Sequence, residues 1–119
     1  MKSLKIDLEV EDPNEPPAID VHYEWTQFAL WMSGKYGYGN LDGHEIGLSA
    51  ELVQDLCEWG DRADAVFPAD DPASFELSDG FLQEGYELAQ RVRAELPAEW
   101  VVTAWNPVLG SNVELSLES

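Results

Sequence analysis

SAELVQDLCEWGDRADAVF, residues 49–67, holds a single helical period for longer than any other stretch of this chain. Leu52, Leu56, Trp59, Ala63 and Val66 recur at helical spacing and draw one apolar stripe, while Glu51, Asp55, Glu58, Asp61 and Asp64 take the other side. Ser49 stands where its hydroxyl can accept from a free amide of the first turn, and Glu51 suits the positive end of the helix dipole. Pro68 stops the helix. A stripe of this kind needs a second apolar surface, because an isolated helix of this length is marginal in water. The rest of the chain must supply that surface.

Working outward, a second helix is expected from about Gly80 to Leu96, with Phe81, Gly85, Leu88, Val92 and Leu96 on one face and Ser78 or Asp79 as its cap. Arg91 and Arg93 suit its negative end, and Pro97 closes it. The turn-rich link between the helices carries Asp70-Asp71-Pro72, with Phe75 and Leu77 as pins into the core. Before the first helix, Leu4, Ile6, Leu8 and Val10 alternate with charged residues, and Ile19, Val21, Tyr23 and Trp25 do so again after a Pro-rich turn. These read as two paired strands with acids turned outward. The apolar parity shifts after Gln27, so Phe28 to Met32 is either bulged or a further strand covered on both faces. Residues 33–47 hold five glycines and read as a long loop, with a short strand around Tyr36 to Tyr38 as one option. After the second helix, Trp100 to Trp105 is apolar on both sides, a central strand, and Val113, Leu115 and Leu117 form a last strand with one wet face. Strands, two helices, strands is the order of an α+β two-layer sandwich: a mainly antiparallel sheet with both helices on one face, in one domain spanning residues 1–119.

Bulk composition narrows the function classes. At 119 residues the chain can bury roughly two-thirds of its unfolded surface, enough for one core. With 24 acidic residues against six basic ones the net charge is −18, which opposes approach to nucleic-acid phosphates or an anionic membrane and favours a cationic partner. A lone cysteine, Cys57, excludes an internal disulfide and fits a reducing cytoplasm. MKSLKIDLEV has acids where a signal peptide would be apolar, so a cytoplasmic chain is the expectation.

Chemistry-bearing residues are few. His44-Glu45 could supply a base and a carboxylate neighbour, so a small enzyme or ligand-binding domain with its site in loop 33–47 around His44 is one reading. The plainer reading is a solvated loop histidine. Cys57 lies beside Glu58, which works against a thiolate nucleophile. Asp70, Asp71, Glu76 and Asp79 follow no calcium-loop spacing, and Gly37-Tyr38-Gly39-Asn40 lacks the lysine of a phosphate cradle. No metal and no cofactor is expected. The five tryptophans read mostly as core, whereas Tyr36 and Tyr38 in a Gly-rich loop would be exposed and suited to protein contacts.

Gly47-Leu48-Ser49-Ala50-Glu51-Leu52, then Leu56, Trp59 and Asp61, the Asp70-Asp71-Pro72 turn, and Phe81, Glu84-Gly85, Leu88-Ala89, Arg91-Val92 and Glu95-Leu96-Pro97 resemble a pattern in small acidic bacterial proteins, chiefly actinobacterial. Some of those are regarded as immunity proteins of polymorphic toxin systems. The resemblance covers about the middle half of the chain and implies a non-enzymatic protein that binds and blocks a toxin. Asp7, Glu9, Asp20 and Glu24 would then supply the field for a basic, nucleic-acid-directed toxin domain, with Tyr36 and Tyr38 as anchors. Asp42, His44 and Glu45 complete the candidate contact surface. The chain would act as a monomer or, through its edge strands, a homodimer.

Overall fold

A computed structural model describes residues 10–24, 27–66, 70 and 78–116. Five strands and two long helices follow in the order β1 (Pro17–Val21), β2 (Leu30–Gly34), β3 (Gly39–Leu41), a 3-10 turn (Gly43–Ile46), α1 (Ala50–Val66), α2 (Asp79–Glu95), β4 (Val101–Asn106) and β5 (Ser111–Leu115). The strands form one sheet in the order β3-β2-β1-β4-β5, antiparallel throughout except for the central β1–β4 pair, which is parallel. This is the expected α+β architecture, with helices on one face of a mainly antiparallel sheet. The expected strand at residues 4–10 falls almost wholly outside the described residues, as do Phe75 and Leu77 of the interhelix link.

Alternation in the strands divides the sheet into two faces. Ile19, Val21, Leu30, Leu41, Val102, Ala104 and Leu115 point one way and are buried against Leu52, Leu56, Trp59 and Ala63 of α1 and Leu88, Ala89 and Val92 of α2. The caps follow the sequence: Leu52 donates its amide to Ser49 Oγ (3.2 Å), and Phe81 donates to Ser78 Oγ (3.1 Å). Ser49 also donates both its amide and its hydroxyl to Glu95, so the start of α1 is tied to the end of α2. Two ion pairs join the helices along their length, Arg91 to Asp55 (2.7 Å) and Arg62 to both oxygens of Glu84. Arg93 does more than complement the helix dipole. It is buried, 6% exposed, and donates to the carbonyls of Trp100, Leu96 and Pro97, which clamps the turn between α2 and β4. Burial lowers its pKa, against the pull of Glu114.

Several expectations need correction. The parity shift after Gln27 marks a further strand and not a bulge: β2 runs back antiparallel to β1, but its second face, with Trp31 and Ser33 half-buried, is not covered as expected. The 33–47 stretch is not one long loop but holds the end of β2, β3 and the 3-10 turn. Gly34 and Gly37, both at positive φ, make the turn (Gly37 N to Gly34 O, 2.9 Å), so the short strand falls at Gly39–Leu41 instead of 36–38. Val66 ends the α1 stripe at 70% exposure. Tyr36 is not an exposed loop residue but lies half-buried against the core, its ring 5.6 Å from that of Trp100. No helix among the described residues is long and apolar enough to cross a membrane.

Candidate functional site

The second face of the sheet has no helix over it among the described residues. A row of side chains crosses it in register: Asn40 on β3, Trp31 on β2, Asp20 on β1, Thr103 on β4 and Glu114 on β5. Asp20, in the centre, accepts from the Thr103 hydroxyl and from Asn112 Nδ2 (3.0 Å), so its carboxylate is held in a fixed position at the middle of the face. Trp31 donates its indole N–H to the His22 carbonyl (3.1 Å) and meets the His22 ring edge-on. His22 Nε2 in turn lies 3.1 Å from Glu24. Trp105 stands on the same face as Asp20, 42% exposed.

Cations are absent from this row. Four of the six basic residues are described, and three of them work in the helical layer: Arg62 and Arg91 in the interhelix ion pairs and Arg93 in its buried clamp. The fourth, Lys35, sits 5.5 Å over the ring of Tyr36 at the far end of the β2–β3 hairpin. Among the described residues no Lys or Arg pairs with Asp20, Glu24 or Glu114.

The expected contact residues do not form one cluster. Asp20 is mid-face, Glu24 follows the end of β1, and Asp7 and Glu9 lie outside the described residues. Tyr38 is 81% exposed at the hairpin between β2 and β3, at the end of the sheet where β1 begins. Asp42, His44 and Glu45 sit at the opposite end and make a capping box: His44 N donates to Asp42 Oδ1 (2.9 Å) and Asp42 N to Glu45 Oε2 (3.2 Å). The His44 ring also pairs with Asp42, at 3.0 Å, and not with Glu45. Their side chains hold the 3-10 turn, and none of the pronounced clefts among the described residues is lined by His44. Partial burial, then Asp42 and Asp61, push the Cys57 thiol upward, so it stays protonated and poorly nucleophilic at neutral pH.

The sequence reading took Trp31 and Trp105 as core, put Thr103 on the Trp105 side of its strand without a role, and never reached Asn112. Parity held the signal: Trp31 is out of phase with Leu30, and Trp105 with Val102 and Ala104. Glu114 was expected on a wet face and is there.

A family model described as Serratia CdiI immunity protein-like matches residues 17–107, from the first residue of β1 to the turn after β4. That span takes in the first four strands as well as both helices. None of the curated proteins matches the chain.

Proposed function

The chain belongs to the Serratia CdiI immunity protein-like family, and from that premise we propose that it neutralises a cognate toxin domain by binding it through the open, acidic face of its sheet. The action is stoichiometric blockade and not catalysis, and it takes place in the cytoplasm of the cell that makes the protein. The observation that carries the choice of surface is the segregation of charge: Arg62 and Arg91 are consumed at the helix seam and Arg93 in its buried clamp, while Asp20 and Glu24 lie on or beside the bare face with no described lysine or arginine paired to them. Such a face attracts a basic partner and speeds encounter. The exposed Trp105, on the same face, offers an anchor of the kind that dominates protein interfaces. Tyr38, at one end of the sheet, is a second contact.

Two experiments test this. The tagged chain is used to capture its partner from native lysate, and the captured domain is then expressed alone and together with the chain. Growth arrest by the domain, relieved by coexpression, supports the immunity reading; arrest that persists rejects it. For the surface, Asp20→Asn, Glu24→Gln and Glu114→Gln together should slow association about tenfold at low salt and much less at ~1 M, where the screening length is roughly 3 Å. Association rates measured by stopped flow that do not differ between the triple variant and the parent would move the interface elsewhere.

A further inference from the structure

A cleft of about 240 Å³ opens where β1 and β4 end, under the start of α2. Tyr23, Trp59, Leu82, Tyr86 and Trp105 line it, with Asn112 and the backbone neighbour His22 at its margin. The back wall is rigid. Trp59 is stacked on Phe81 at 4.5 Å, donates its indole N–H to the Phe81 carbonyl (3.0 Å), and presses on Gly85 so closely that no side chain fits there. The front is Trp105, which is partly exposed. Just beyond it the β4–β5 turn presents Val108 and Leu109 to solvent, with the turn fixed by Asn106 Oδ1 accepting from both amides.

Size and charge together limit the occupant. A dry cavity of roughly 150 Å³ already takes a benzene ring, whereas sites for cofactor-sized ligands run from roughly 300 Å³ upward. The cleft therefore suits one large side chain. At its mouth, Asn112 is hydrogen-bonded to Asp20, and His22 to Glu24, so the margin leads directly onto carboxylates that no described cation pairs. We infer that this cleft receives one aromatic side chain of the partner, flanked in the partner's sequence by lysine or arginine, with the ring packed against Trp59 and Trp105 and the cation set over Asp20 and Glu24. The identity of the partner rests on the immunity reading; the chemistry of the cleft does not.

The test uses tripeptide amides as probes, titrated into the isotope-labelled protein and followed by amide and indole NMR shifts. Acetyl-Lys-Trp-Lys amide should shift the Trp105 and Trp59 indole signals and the Leu82 and Tyr86 amides along a saturable curve. Acetyl-Glu-Trp-Glu amide should bind at least tenfold more weakly, and acetyl-Lys-Ala-Lys amide should leave the indoles unmoved. Leu82→Trp, which fills the cleft, should abolish the response with the melting temperature retained. Asn112→Lys, at an exposed position, is the second variant and should weaken the Lys-Trp-Lys probe about tenfold. Equal shifts from the alanine probe, or shifts mapped away from these residues, would overturn the inference. Because no toxin enters this titration, its failure leaves the immunity reading standing, and failed growth rescue with the titration intact would reject only that reading.

Discussion

Gly85 shows how much one side chain's absence can organise. A Cβ there would lie 2.3 Å from Cζ2 of Trp59, a ring that cannot retreat because Phe81 is stacked on it. Gly85→Ala would gain about 1 kcal/mol of helix propensity but meet an overpacking cost of about 1–3 kcal/mol. The net should be destabilising by up to about 2 kcal/mol in chemical denaturation. Gly60 in α1 is the control: a Cβ there meets nothing within 4 Å, so Gly60→Ala should stabilise by about 0.5–1 kcal/mol. Spacing placed Gly85 on the apolar face of a helix, but only the packed ring explains why glycine is needed there. Tyr23 supplies the pH dependence. Burial, and then its hydrogen bond to Asp64, raise its pKa above the ordinary 10.0. Above pH 10 the unfolded chain releases this proton while the folded chain keeps it, so the stabilisation is complete below pH 10 and is lost as pH rises. Urea unfolding between pH 9 and 11 should fall more steeply for the parent than for Tyr23→Phe, by about 1.4 kcal/mol per pH unit at the alkaline end. Parallel curves would mean that Tyr23 ionises alike in both states.

At the scale of elements, the two helices were legible in full because each carries a long uninterrupted period, a serine cap and a proline stop. Short strands were legible only as apolar parity. Parity says which residues share a face, and it separated Asp20 from the Ile19 and Val21 side, as the register of β1 has it. It does not say which strands are neighbours, so the parallel β1–β4 pairing at the centre of the sheet had no trace in the sequence. The β3 edge shows a third kind of information, carried by one residue. Asn40 accepts from the Phe28 amide (2.9 Å) and donates to the carbonyls of Phe28 (2.7 Å) and Leu30 (3.0 Å), stapling β3 to the entry of β2. A net hydrogen bond contributes about 0.5–1.5 kcal/mol, so Asn40→Ala should cost about 2 kcal/mol in denaturant unfolding and speed amide exchange along β2 and β3. Loss of stability without faster exchange at this edge would place the effect elsewhere.

The whole molecule carries a charge of −18, and the three described arginines all lie in the helical layer. Composition revealed the excess, but not its placement, because placement depends on which of three arginines face carboxylates across the α1–α2 seam. Self-repulsion of an uncompensated surface opposes the compact state, and it is the long-range part of the electrostatic energy, so it should respond to ionic strength before the contact ion pairs do. Raising sodium chloride from ~10 mM to ~0.5 M shrinks the screening length from about 30 Å to a few ångströms. The melting temperature of the free protein should therefore rise by several degrees over that range, and most of the rise should occur at the low-salt end. The triple variant Asp20→Asn, Glu24→Gln, Glu114→Gln should start higher at low salt and gain less, since part of the repulsion is already gone. The same three changes are expected to slow capture of a basic partner, so one set of carboxylates would destabilise the free chain and accelerate its complex. A melting temperature flat or falling with salt would mean that the described ion pairs outweigh the repulsion, and the open face could not then be the dominant source of the field.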